Sequence, residues 1–103
     1  MDSRRFRHLR DKILPVLLPY GVRRVALFGS VVRGEARAQS DIDILVDLKE
    51  PGDRPPIGLK WFAIEEELSR VLDRPVELVT DRALSPHVRP YIEHDMVILY
   101  EEA

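Results

Sequence analysis

A chain of 103 residues with 45% hydrophobic content is long enough for one domain with a modest core. Its 33% charged content and net charge of −2 exclude a disordered segment and a dedicated basic nucleic-acid binder, and no apolar run approaches the roughly 18 residues of a membrane span. Zero cysteine excludes disulfide scaffolds and thiolate zinc sites; with only three His, any metal would rest on oxygen ligands, which favours magnesium or manganese.

The basic start, Met1 to Arg7, lacks the apolar stretch of a signal peptide, and with the absent cysteine it leads to the expectation of a cytoplasmic protein. Phe6, Leu9, Ile13, Val16 and Leu17 recur at helical spacing, with Pro15 expected to kink or end the last turn. Pro19-Tyr20-Gly21 is a turn, and Arg23–Phe28 reads as a short buried strand that stops at Gly29-Ser30, where a helix begins. Residues 41–48 alternate, which puts Ile42, Ile44, Val46 and Leu48 on one strand face and leaves Leu45 as an apolar intruder.

Lys49–Pro56 is a surface loop, dense in Pro and Gly. Residues 57–72 carry the best helical stripe, Ile57, Trp61, Ile64, Leu68, Val71 and Leu72, with Glu65-Glu66-Glu67 away from its centre. Pro55-Pro56 fit the start of that helix and Asp73-Arg74-Pro75 its end. A third strand over 75–80, a short helix around Pro86–Glu93 and an apolar tail at Met96–Tyr100 complete an α/β chain that folds as one domain, 1–103.

Charge divides unevenly along it. Nine of the sixteen Lys and Arg but only three of the eighteen acids fall in residues 1–40, a distribution that can steer anionic ligands to one face.

The segment with chemical content runs from Phe28 to Val46. A strand that ends in Gly29-Ser30 and turns into a helix offers backbone amides, a hydroxyl and a positive dipole end, and glycine lets a phosphate approach the backbone. Arg33, one turn on, adds a phosphate donor. Asp41 and Asp43 are two apart on a strand, so both carboxylates point to one face, about 6.7 Å apart along the chain. Such a pair suits hard divalent cations, and a third carboxylate on a neighbouring strand would complete the cage. Glu77 is the sole acid within the third predicted strand, facing opposite to Val76 and Leu78. Asp47 shares parity with the pair but lies about 13 Å beyond Asp43, outside the cluster. His8, His87 and His94 have no partner at motif spacing.

The spelling Gly29-Ser30-x10-Asp41-Ile42-Asp43 resembles the signature of the DNA polymerase β nucleotidyltransferase superfamily. Phe28 to Ala36 and Ser40 to Val46 look like its small prokaryotic branch, the minimal nucleotidyltransferases, and the similarity extends over nearly the whole chain. The resemblance implies an α+β fold, a small mixed sheet flanked by helices around a polymerase β-like core. It implies a triphosphate held by Gly29, Ser30 and Arg33, and two magnesium ions (manganese as the alternative) held by Asp41, Asp43 and Glu77 as catalytic residues. Three positions depart from the family's pattern: Glu77 stands where Asp is usual, and Val31 and Val32 replace small or polar residues.

Members of this branch are commonly paired with an all-helical HEPN-domain toxin, an RNase. The expectation is therefore an ATP-dependent antitoxin that transfers AMP to a tyrosine hydroxyl of that partner, in a hetero-oligomer without membrane or direct nucleic-acid contacts. The alternative is an antitoxin that neutralises the toxin by binding alone, and a third possibility is transfer to a small hydroxylated molecule. Arg89 and His94 reproduce the Arg-x4-His spelling of the toxins, but the three strand patterns are foreign to an all-helical fold.

Overall fold

Helical spacing of apolar side chains and two-residue alternation build the elements, in the order β1 (Val22–Phe28), β2 (Ile42–Leu48), β3 (Val76–Thr80), β4 (Val97–Glu101) for strands and α1 (Arg7–Leu17), α2 (Ser30–Arg33), α3 (Lys60–Leu72), α4 (Arg89–Asp95) for helices. The computed structural model describes residues 3–35 and 40–102. Residues 1–2 of the basic start and 36–39 of the spacer between Ser30 and Asp41 lie outside the described residues.

The strands form one mixed sheet in the order β3-β2-β1-β4, with β1 antiparallel to β2 and β4 and β2 parallel to β3. α1 and α3 pack side by side, and their buried residues Ile13, Leu17, Ile64 and Leu68 share one core with Leu27, Ile42, Ile44, Val46 and Val97. Burying each such side chain contributes about 1.5–3 kcal/mol, so this face dominates stability. Leu45 is no intruder. It is 1% exposed and lies opposite Ala26 on the other face of the sheet, because the central strands are covered on both sides. The turn at Asp81–Ala83 packs beside β2, and α4 beside β1.

Four boundaries differ from expectation. α1 continues through Pro15 to Leu17, because Pro15 is on the solvent side, where the carbonyl one turn back can be hydrated. α3 starts at Lys60, since Gly58 (φ 48°) makes a turn there and buried Ile57 precedes it, accepting from Lys60 N at 2.8 Å. α4 is displaced to Arg89–Asp95, because Ser85 O takes the amides of Val88 and Arg89 in a turn of its own. The apolar tail is strand β4, paired with β1 through Leu27↔Val97 and Ala26↔Ile98. Among the described residues no helix is long and apolar enough to cross a membrane.

Candidate active site

The site gathers at one end of the sheet, where β1 stops, β2 and β3 begin and α4 enters β4. Gly29 ends β1 with φ 77° and ψ −151°, a backbone region open in practice only to glycine. A Cβ there would collide with Asp43 Oδ2, so the turn requires glycine for space as well. The chain then enters α2, whose Val32 and Arg33 amides donate to Gly29 O at 3.1 and 3.2 Å. The Ser30 and Val31 amides stand ahead of them at the open end of the turn. α2 is a single turn of four residues, so a macrodipole contributes little, and anion affinity here rests on local amides, the Ser30 hydroxyl and Arg33.

Register decides the carboxylates. Phe28 pairs with Asp43, and Asp43 pairs with Glu77 across the parallel β2–β3 ladder. Val76 and Leu78 are buried in the core, which turns Glu77 to the opposite, open face with Asp43. Asp41 lies just outside β2 and is exposed. The Asp43 carboxyl is pushed up to about 6 by burial, by the charge of Glu77, by a hydrogen bond shared with Glu77 and by the charge of Asp41; Arg33 pulls it back down. Among the described residues, no three acidic or histidine side chains converge closely enough to chelate one ion, so Asp41, Asp43 and Glu77 neighbour each other without closing into a cage.

Two α3 residues hold this end in position: Glu65, which the sequence placed merely away from the centre of the apolar stripe, and Ser69, which it did not single out. Val76 N donates to Ser69 Oγ at 3.1 Å and Leu78 N donates to Glu65 Oε2 at 3.0 Å, so the amides on both sides of Glu77 are anchored. Polar side chains flanking an apolar stripe beside an edge strand are the available signal, but without the strand's position they read as solvated. Arg74 Nη2 donates to Ser40 O at 3.0 Å and Ile42 N to Pro75 O at 2.9 Å, tying the approach to Asp41 to the α3–β3 corner.

Arg33 is half-exposed; its Nε donates to Glu35 Oε1 at 3.3 Å and its Nη1 lies 3.8 Å from Asp95 Oδ2 at the end of α4. Between the Gly29 turn and α4 is a cavity of about 670 Å³. Sequence spacing could not bring α4 here, because its placement follows from β4 pairing with β1. Arg89 and His94 do not form a pair: Arg89 binds Asp81 at 2.7 Å, and His94 is exposed beside Asp95. His8 and His87 are exposed, and Asp47 lies opposite Arg24, four residues along β2 from Asp43.

A family model described as a nucleotidyltransferase domain matches residues 10–99. The chain belongs to this family. It is 40% identical over 78 residues to the protein adenylyltransferase MntA of Thermococcus cleftensis, covering 76% of this chain and 75% of that one. It is 35% identical over 89 residues to a candidate protein adenylyltransferase of Methanocaldococcus jannaschii, covering 86% and 91%. Among solved structures, a candidate minimal nucleotidyltransferase superposes with a TM-score of 0.73 at 34% identity, over 94% of this chain and 95% of that one. A toxin–antitoxin structure with AMP-PNP superposes with a TM-score of 0.74 at 26% identity, over 89% and 73%. The expected α/β fold, with its mixed sheet and flanking helices, is that of the minimal nucleotidyltransferase.

The family implies divalent cations. The chemistry of Asp41, Asp43 and Glu77, oxygen donors only, suits such cations; Asp43 is pushed up to about 6 by burial and by the charges of Glu77 and Asp41, which Arg33 partly offsets.

Proposed function

We propose that this nucleotidyltransferase is an antitoxin that transfers AMP from ATP to a tyrosine hydroxyl of a partner HEPN-domain toxin. The observation that carries the reading is the contact of Gly29 with Asp43 combined with the Asp43↔Glu77 register, which sets a phosphate cradle directly against a carboxylate pair. The names of the relatives, protein adenylyltransferase and toxin–antitoxin with AMP-PNP, support the donor and the class of acceptor.

In this reading the Ser30 and Val31 amides, the Ser30 hydroxyl and Arg33 bind the terminal phosphates and leave the α-phosphate facing Asp43. Asp41, Asp43 and Glu77 would hold magnesium, which when bound supplies positive charge for the triphosphate and the departing pyrophosphate. Glu77, on the exposed edge strand β3, is accessible to an acceptor and takes the proton of the attacking tyrosine. The new bond joins the tyrosine oxygen to the α-phosphorus; the α–β phosphoanhydride bond breaks and pyrophosphate leaves. A nucleotide fixed near the toxin's RNase centre repels RNA by charge and bulk.

The test is transfer of labelled AMP to the co-expressed partner, with the modified residue mapped by mass spectrometry. A tyrosine carrying AMP is expected. A complex that binds ATP and silences the toxin without any transfer would instead establish neutralisation by binding.

A further inference from the structure

β3 is an edge strand: β2 lies on one side of it and, among the described residues, no strand on the other. The outward amides of such a strand stay open to water or to another chain unless something covers them. Here α3 covers them. Val76 N donates to Ser69 Oγ at 3.1 Å and Leu78 N to Glu65 Oε2 at 3.0 Å. The Ser69 hydroxyl donates in turn to Glu65 O at 3.0 Å, which leaves its lone pairs for Val76.

The repeats of helix and strand coincide to make this possible. Glu65 and Ser69 are four residues apart on a helix, about 6 Å of rise, and Val76 and Leu78 are two apart on a strand, about 6.7 Å. The two elements run in opposite directions, so the earlier helix residue meets the later strand residue. Glu77 stands between the two anchored amides, and its pairing with Asp43 on β2 holds it from the inner side. Its side chain is exposed and one methylene longer than the family's usual Asp, so its aim depends on the backbone beneath it. The phosphate cradle, on β1 and α2, is separated from this clamp by β2.

We propose that Glu65 is a positioning residue for AMP transfer: with Ser69 it clamps β3 on both sides of Glu77, so that the Glu77 carboxylate meets the acceptor hydroxyl beside Asp43. The inference rests on the reading of Glu77 as the group that takes the acceptor's proton, and it gives α3 a part in the chemistry.

Labelled-AMP transfer in the co-expressed complex, measured well below the melting temperature, tests it together with amide hydrogen exchange on the metal-free chain. Glu65→Ala should lower kcat about tenfold or more, the scale of a lost outer support, with KM for ATP unchanged. Glu65→Gln, which keeps the acceptor oxygen, should restore kcat. In Glu65→Ala the Leu78 amide should exchange about fivefold faster or more, the scale of one hydrogen bond. In a Glu77→Gln background, Glu65→Ala should cost less than about a further twofold, because what it positions is already gone. Wild-type turnover in Glu65→Ala overturns the inference, and so does a glutamine that fails to restore it. A full further loss in the Glu77→Gln background, or a KM that rises with the fall in kcat, also overturns it, since either would make Glu65 a support of the fold at large. A wild type that transfers no AMP overturns the proposed function and this role with it, whereas an active wild type with unaffected variants overturns this role alone.

Discussion

The two ends of the sheet treat their carboxylates in opposite ways. At the far end Asp81 is clasped by Arg24 at 3.3 Å and Arg89 at 2.7 Å, and Glu50 by Arg82 at 3.0 Å. At the near end Asp43 faces Glu77 and Asp41, with Arg33 as its lone offset among the described residues, and its carboxyl is pushed up to about 6. Both ends use the same residue types, so composition does not separate them. The arginines stabilise what they clasp, whereas the near end is left with negative charge that a cation and a polyphosphate can balance together. Pairing marks a strut; crowding marks a site.

Substitutions can break that contrast. Glu77→Gln keeps the shape and removes the charge; AMP transfer should fall about 100-fold or more while ATP affinity, by calorimetry, stays nearly intact. Transfer at the wild-type rate would make Glu77 a bystander. Gly29→Val should reduce nucleotide binding more than Ser30→Ala. The valine collides with Asp43 and strains a left-handed turn, whereas the alanine removes one hydrogen bond to a charged acceptor, about 1.5–3 kcal/mol.

At the far end Asp81→Ala removes the carboxylate shared by Arg24 and Arg89, leaving Arg89 its bond to the Asp81 carbonyl and its neighbour Glu93, and urea unfolding should register a loss of about 1 kcal/mol from the Arg24 pair. Ser69→Ala should cost about 1 kcal/mol through the lost Val76 contact and lower transfer as well, because β3 loosens beside Glu77.

The smallest effect sharpens the comparison by its sign. Asp43 has a folded-state pKa of about 6 against an ordinary 3.8, so the folded protein binds the extra proton between those values. Stability from that proton is complete below about pH 4 and is lost as pH rises through about 6. In EDTA, Asp43→Asn should therefore melt above wild type at pH 7, and the gap should close by about pH 4. A variant that melts below wild type at pH 7 would mean the near end is no more crowded than the far end.

Much of this was legible in the residues. Alternation in Asp41–Leu48 placed Asp43 and the buried Ile42, Ile44 and Val46 on opposite faces, and the same parity turned Glu77 away from Val76 and Leu78. Gly29-Ser30 marked the end of β1 to the residue. Leu45 misled, because alternation assumes one wet face and the middle of this sheet has none. Glu65 and Ser69 were invisible as supports, since a side chain that bonds a distant edge strand has the same local pattern as a solvated one.

The sequence by itself determined the elements and the side of each strand on which its chemistry stands, because periodicity and backbone stereochemistry act over a few neighbouring residues. Only the tertiary structure decided that Glu77 sits beside Asp43 rather than one step along β2, that the tail becomes the fourth strand, and that α4 thereby faces Gly29 across a cavity. Those arrangements bring together residues 34, 70 and 62 positions apart: Asp43 with Glu77 and Leu27 with Val97 by pairing, Gly29 with Tyr91 around one cavity. They depend on how the chain reverses and which faces it must bury, which no short window of sequence contains.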